Sequence, residues 1–203
     1  MTRHLRLVLT AVAGSLLVGL SGAVVSHAQA PAAAATYTSD GKLTFPADYR
    51  TWVYLSSGMD MAYVEGGGGQ MHAFDNVLVD PAAYRTFLQT GTWPDGTVLV
   101  LEVRSAEAHQ SIDKAGRSQG GRIAVEAHVK DTARFRDAGG WGFFCFHGEQ
   151  PGARIPATAA CASCHQAHAA VDTTFVQFYP TLFPVAKAKG TLSSAYLAEE
   201  KAK

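Results

Sequence analysis

Residues 161–165, near the end of the chain, carry the side chains best suited to chemistry, and they read Cys-Ala-Ser-Cys-His. Two thiols three positions apart lie on one turn of a helix, so each can add to a vinyl group of the same porphyrin. The adjacent imidazole then points at the iron, which it ligates in its neutral form. The motif predicts one covalent c-type haem, with thioethers from Cys161 and Cys164 and with His165 as the axial iron ligand.

Two other uses of a Cys-x-x-Cys pair compete with haem attachment. A redox dithiol or disulfide of the thioredoxin type favours a βαβ context, which this sequence does not show. A zinc site needs four ligands, and although Cys145 and His168 are present, no second paired motif accompanies them. Cys145 lies between two phenylalanines, a position that indicates a small buried thiol.

The opposite side of the iron has several candidate ligands in the sequence. Methionine or histidine ligation makes an electron-transfer cytochrome, whereas an open position makes a ligand-binding or catalytic protein. The residues alone leave this choice open. The candidates are Met59, Met61, Met71, His72, His147 and His168.

The N-terminus has the composition of a targeting segment. Arg3 and Arg6 precede an uncharged, mostly apolar stretch over residues 7–25, and residues 28–30 (Ala-Gln-Ala) form a small-x-small cleavage site. The pattern predicts a signal peptide over residues 1–30 and therefore a periplasmic protein. An uncleaved membrane anchor is the alternative, because the apolar stretch is only just long enough to span a bilayer.

The rest of the chain has the composition of one folded domain. Hydrophobic residues make up 47% of the 203 residues, which is enough for a core. The 17 basic and 17 acidic residues are scattered, and this excludes the basic footprint of a nucleic-acid-binding protein. The expected organisation is a tether over residues 31–42, a single haem domain over 43–190 and a tail over 191–203, with a frayed helix from Lys187.

Several short segments rich in β-forming residues, with turn residues between them, are expected to form the structure that positions the motif. Asp80 is the expected N-cap of a short helix, with Pro81 at its first position and Gly91 after its end. No βαβ alternation appears, which favours an α+β, mainly β fold, an antiparallel sheet packed with a few helices. The haem motif is expected on a C-terminal helix over residues 158–171. Strands are expected at 49–55, 72–79, 97–103, 122–130 and 141–147, with a loop at 66–69 and a long loop or hairpin tip at 105–121.

One of these strands, residues 122–130, alternates between apolar and polar side chains. Glu126 and His128 lie on the face opposite its apolar residues, so we expect both side chains to face solvent. The apolar face is formed by Ile123, Val125, Ala127 and Val129.

Six segments in order along the chain carry a family resemblance. They are 48–53 (D-Y-R-T-W-V), 79–84 (V-D-P-A-A-Y), 90–98 (T-G-T-W-P-D-G-T-V), 129–131 (V-K-D), 140–144 (G-W-G-F-F) and 171–182 (V-D-T-T-F-V-Q-F-Y-P-T-L). Together with the haem motif, the set resembles the cytochrome P-460 family, which is related to the cytochromes c′-beta. The resemblance implies a mainly antiparallel β fold, a five-coordinate iron with His165 proximal and an open distal side. It also implies that subunits often pair as homodimers.

The sequence departs from the enzymes of that family at two positions. Those enzymes carry a lysine that bonds covalently to the porphyrin edge, and Leu101 stands at the corresponding position, which we expect to line the pocket. Some of them also place a carboxylate in the loop before the haem motif. The loop here, residues 152–160, contains Arg154 and no acid, so no general base for hydroxylamine is visible.

These observations favour an exported monohaem cytochrome with an open iron site. It would bind small ligands such as nitric oxide, exchange electrons with a periplasmic partner, or both. The alternative is a haem oxidoreductase acting on hydroxylamine or a similar small nitrogen compound. That alternative needs a distal acid or base from another segment, for which Glu65, Glu102 and His72 are the candidates.

Overall fold

The computed structural model describes residues 35–62 and 72–203. The expected signal peptide over residues 1–30, the start of the tether, the loop at 66–69, Glu65 and Met71 lie outside the described residues. Within the part that is described, no helix is both long and apolar enough to cross a membrane.

Six antiparallel strands form one sheet, and each strand pairs with the next one along the chain. The predicted antiparallel sheet packed with helices is therefore confirmed. The strands are β1 (Val53–Met59), β2 (Ala73–Val79), β3 (Val98–Glu107), β4 (Ser118–Lys130), β5 (Trp141–Phe146) and β6 (Ala153–Arg154). The helices are α1 (Pro81–Thr90), α2 (Ala160–His168), α3 (Phe183–Lys189) and α4 (Ser194–Lys201), with 3-10 turns at Tyr49–Thr51, Arg136–Ala138 and Val176–Phe178.

Helix α1 begins and ends at the residues that the sequence predicts. The buried side chain of Asp80 accepts hydrogen bonds from the backbone N–H groups of Ala82 and Ala83, as an N-cap does. Its second oxygen accepts from the N–H of Val98, so the cap also joins the helix to β3. Gly91 ends the helix with φ of 76°, in the left-handed region that glycine adopts without strain.

Both faces of the sheet are covered, which strand alternation by itself does not reveal. On one face, Val98, Val100 and residues of β4 and β5 pack against an N-terminal layer that includes Leu43, Phe45 and Trp52. On the other face, Leu99 and Trp141 pack against the helices and the segment that follows α2. Helix α2, which carries the haem motif, lies on this second side of the sheet.

Two details of the fold differ from the sequence predictions, and the structure decides one alternative that the sequence left open. The segment predicted as a strand over 49–55 begins with a 3-10 turn at Tyr49–Thr51, and β1 starts only at Val53. Of the two expectations for residues 105–121, a long loop or a hairpin tip, the hairpin tip is confirmed, because β3 and β4 continue into this range as a long hairpin. The chain beyond residue 190 forms α4, which packs against α2 and buries Tyr196.

Candidate functional site

A cavity of about 790 Å³ lies between the second face of the sheet and α2. This size falls within the roughly 300–1,000 Å³ of sites that bind cofactors and small molecules. The sheet contributes Asp75, Val77, Leu101, Glu126, His128 and Phe143, and the other wall contributes Cys161, Cys164, His165, Phe175, Phe178 and Tyr179.

The three motif residues lie together on the first two turns of α2 and all line the cavity. Cys161 is exposed, Cys164 is half-buried, and both are free thiols. The helix brings the two thiols and the imidazole to one side of the cavity because the positions are three and four residues apart.

One hydrogen bond orients the imidazole of His165: its Nδ1 donates to the backbone carbonyl of Thr173 at 2.7 Å. Since a carbonyl only accepts, Nδ1 carries the proton and Nε2 keeps its lone pair. Burial lowers the pKa of His165, and the bond to Thr173 opposes this shift only in part. The ring is therefore neutral at neutral pH, with Nε2 free to bind a metal.

Aromatic rings surround His165 and restrict its orientation further. The ring centroids of Phe175 and Phe143 lie 4.3 and 4.8 Å from that of His165. The ring of His128 meets it edge-on, at 5.3 Å and an interplanar angle of 79°. A neutral imidazole, two free thiols and an apolar aromatic wall fit the requirements of a c-type haem, which needs two thioethers, an axial ligand and an apolar environment.

The comparison with protein families agrees with this arrangement. The family model for cytochrome P460 matches residues 46–176 of the chain. The chain belongs to the cytochrome P460 family. The predicted family is thereby confirmed, and the protein is a haem-binding cytochrome. Among curated proteins, none matches the chain.

The cytochrome places His128 inside the protein, so the prediction that this side chain faces solvent is wrong. His128 is 8% exposed and its ring stacks on that of Phe143 at 3.9 Å and 15°. Burial, followed by the neighbouring His165, holds the pKa of His128 well below its usual value. The prediction failed because the face opposite the apolar residues of β4 is covered by α2 and the segment that follows it.

Glu126 was likewise predicted to face solvent, and it instead lines the cavity with Asp75. Burial raises the pKa of both carboxyl groups, and the charge of Asp75 adds to the rise at Glu126. The sequence does contain a signal for this placement. β3 reads V-L-V-L, apolar on both faces, and such a strand indicates a sheet that is covered on both sides.

Leu101 lines the cavity and pairs directly with Glu126 across the β3–β4 ladder. On its other side Glu126 pairs with Cys145, which is half-buried. Burial, followed by the charge of Glu126, raises the pKa of the Cys145 thiol. Leu101, Glu126 and Cys145 therefore form one row across three strands, of which Leu101 and Glu126 line the cavity.

Two of the acid–base candidates from the sequence lie away from the cavity. Glu102 is on the opposite face of β3, where its carboxylate accepts from the Tyr49 hydroxyl at 2.8 Å and from Arg50 and Arg104. His72 is exposed, and its Nδ1 lies 2.6 Å from a carboxylate oxygen of Asp60. The third candidate, Glu65, lies outside the described residues.

Of the candidate sixth ligands that the structure describes, Met61 alone lines the cavity, and it is 39% exposed. Met59 and His147 are exposed and do not line it. His168 lies on α2 with its Nδ1 2.9 Å from Glu199 of α4. Over residues 35–62 and 72–203, no three His, Cys, Asp or Glu side chains are grouped so that they could hold a metal ion.

Proposed function

We propose that this cytochrome is an exported monohaem c-type protein in which Cys161 and Cys164 hold one covalent haem and His165 ligates its iron through Nε2. The observation that carries the proposal is the bond from His165 Nδ1 to the Thr173 carbonyl, beside two free thiols that line the same cavity. A carbonyl acceptor at Nδ1 is the usual partner of a metal-bound histidine.

The protein would use the open side of the iron to bind small ligands such as nitric oxide, and it would exchange electrons with a periplasmic partner. A haem iron with one free position supplies ligand binding and one-electron chemistry. The chain's own contribution is an apolar part of the wall: Val77 and Leu101 line the cavity and would limit the water around a bound ligand.

The attachment is tested by expression with a c-type haem assembly system, followed by mass spectrometry and the alkaline pyridine spectrum. We expect one haem in the wild type, a single thioether in Cys161→Ala or Cys164→Ala, and no covalent haem in the double variant. Cys145→Ala is the matched control, because this third thiol is outside the motif and should leave attachment unchanged. Covalent haem in the double variant, or its loss in the control, would contradict the proposal.

The open position is tested on the ferrous protein by its spin state and by nitric oxide binding. We expect a high-spin ferrous spectrum and the same spectrum in Met61→Ala, because Met61 is the one described candidate ligand at the cavity. A low-spin wild type that becomes high-spin in Met61→Ala would identify Met61 as the sixth ligand and would replace ligand binding with electron transfer.

A second candidate function is the oxidation of hydroxylamine, and the carboxyl groups of Glu126 and Asp75 in the cavity favour it. A carboxylate accepts a proton from an N–H or O–H group, which an entirely apolar cavity does not do. We expect turnover with an artificial electron acceptor to fall roughly 100-fold or more in Glu126→Gln. Glu149→Gln, an exposed position, is the control. Undiminished turnover in Glu126→Gln would exclude this residue as the base.

Export is tested separately by fractionation and N-terminal sequencing of the mature protein. We expect the protein in the periplasm with a new N-terminus at Pro31, because residues 28–30 form the cleavage site. A protein that stays in the membrane fraction and begins at its original N-terminus would support the uncleaved anchor instead.

A further inference from the structure

Two hydrogen bonds meet at Thr173, the residue that orients His165. The backbone carbonyl of Thr173 accepts from His165 Nδ1 at 2.7 Å. Its hydroxyl lies 3.2 Å from Nε2 of His128, at hydrogen-bond distance. A single residue thus connects the proposed iron ligand on α2 to a side chain on β4.

Thr173 belongs to a tight turn that is closed by two backbone hydrogen bonds between its neighbours. The N–H of Thr174 donates to the carbonyl of Val171 at 2.9 Å, and the reverse bond is 3.3 Å. Asp172, between them, has φ of 52°, in the left-handed region. The turn holds the Thr173 peptide near His165, and the hydroxyl bond to His128 is its side-chain attachment to the sheet.

His128 is itself held rigidly. Its ring packs against two rings of β5, those of Phe143 and Trp141, with centroid distances of 3.9 and 4.4 Å. A phenyl ring would fill the same stack without the cost of burying polar nitrogens. The imidazole differs from a phenyl ring in that Nε2 bonds the Thr173 hydroxyl, which offsets part of that cost.

We propose that His128 is a positioning residue, which fixes through Thr173 the orientation and the donor strength of His165 toward the iron. The inference rests on the proposed function, in which His165 is the axial ligand. Outer-shell hydrogen bonds to a metal-bound histidine set both its ring orientation and its basicity. Without His128 the Thr173 carbonyl moves more freely, the bond to Nδ1 weakens, and His165 becomes a weaker donor.

The test uses the haem-loaded protein and two substitutions, each of which removes one partner of the contact between His128 and Thr173. His128→Phe keeps an aromatic ring in the stack, and Thr173→Val removes the hydroxyl but keeps the branched shape. The matched control is Thr173→Ser, which retains the hydroxyl. The readouts are the iron–histidine stretching band of the ferrous protein in resonance Raman spectra and the reduction potential.

We expect the stretching band to move to lower frequency and the reduction potential to rise in His128→Phe and in Thr173→Val. The double variant should shift no further than either single one, since both break the same connection. Thr173→Ser should match the wild type. These shifts should appear with haem content unchanged. Thr173→Val should also lower thermal stability, because it leaves Nε2 of the buried His128 without its partner.

Different results contradict the role of His165 as iron ligand and the role of His128 as positioning residue. A high-spin ferrous wild type without an iron–histidine band would contradict the assignment of His165 as ligand and thus the proposed function. A wild-type band that stays in place in both His128→Phe and Thr173→Val would overturn the positioning role alone. A shift in Thr173→Val without one in His128→Phe would also overturn it, because the hydroxyl would then act without His128.

Discussion

At the scale of single residues, the cavity contains polar side chains whose pKa values are shifted by burial and by their neighbours. His165 is neutral because it is buried, although the bond from its Nδ1 to Thr173 opposes this effect in part. Glu126 holds its proton more tightly than an exposed glutamate because burial disfavours the charged form and Asp75 is near. Both carboxyl groups of the cavity therefore lose their protons at a higher pH than exposed ones do.

The raised pKa of Glu126 predicts how stability changes with pH. Between the unfolded-state pKa and the higher folded-state pKa, the folded protein holds a proton that the unfolded chain has lost, so the free energy of unfolding falls as pH rises. Glu126→Gln removes this fall in the free energy of unfolding, because glutamine does not titrate. We expect the variant to gain stability over the wild type above that window and not below about pH 4, as measured by thermal unfolding across pH. An exposed control, Glu149→Gln, should not reproduce the gain, and a pH-independent difference would contradict the prediction.

Leu101 predicts a second effect on the same carboxyl group. Leu101→Lys places an ammonium group directly across the strand ladder from Glu126. The opposite charge favours the ionised carboxylate and lowers its pKa, with a pair energy of about 0.2–1 kcal/mol. The stability loss with rising pH should therefore shrink in the same unfolding scan, whereas Leu101→Met should behave as the wild type does. An unchanged pH profile in the lysine variant would show that the two side chains do not interact.

At the scale of elements, the caps and strand faces determine where the cavity walls lie. Asp80 ends β2 and begins α1, and its carboxylate also accepts from the first residue of β3. One buried side chain thus joins a helix to two neighbouring strands of the sheet. Those strands supply Val77 and Leu101 to the cavity, so the cap joins α1 to two strands of the cavity wall.

Substitution of Asp80 separates its two roles. Asp80→Ala removes the helix cap and the bond to Val98, and we expect a loss of roughly 2–3 kcal/mol in the free energy of unfolding. Asp80→Asn keeps an oxygen for the cap but turns an N–H group toward the N–H of Val98, so about half of that loss should remain. Urea unfolding measures both variants. Equal losses would mean that the bond to β3, and not the cap, carries the stabilisation.

At the scale of the whole molecule, the domain continues beyond the segment that matches the family. The family match ends at residue 176, whereas α3 and α4 follow it and bury Leu182, Ala186 and Tyr196 in the core on the haem side. The Ser193 hydroxyl donates to the carbonyl of Ala169 at 2.7 Å, just after α2 ends. The C-terminal helices therefore support the helix that carries the haem motif.

This support predicts a difference between two adjacent residues of α4. Tyr196 is 8% exposed and Leu197 is 42% exposed. We expect Tyr196→Ala to lower the free energy of unfolding by about 3 kcal/mol, because it leaves a cavity in the core. Leu197→Ala should stay within about 0.5 kcal/mol. Equal, small effects in denaturant unfolding would show that α4 is a loosely attached tail, as the sequence suggested.

Local patterns determined much of this protein. The Cys-x-x-Cys-His spacing, the cap at Asp80, the glycine at 91 and the antiparallel strands are short-range signals, because each depends on residues a few positions apart. Tertiary structure decided what lies on each face of the sheet. Alternation in β4 separates Glu126 and His128 from the apolar residues, but only the distant segments that cover both faces show that these two side chains are inside. The bonds at Thr173 have the same origin: they join α2 and β4 through a turn, and no local pattern contains that contact.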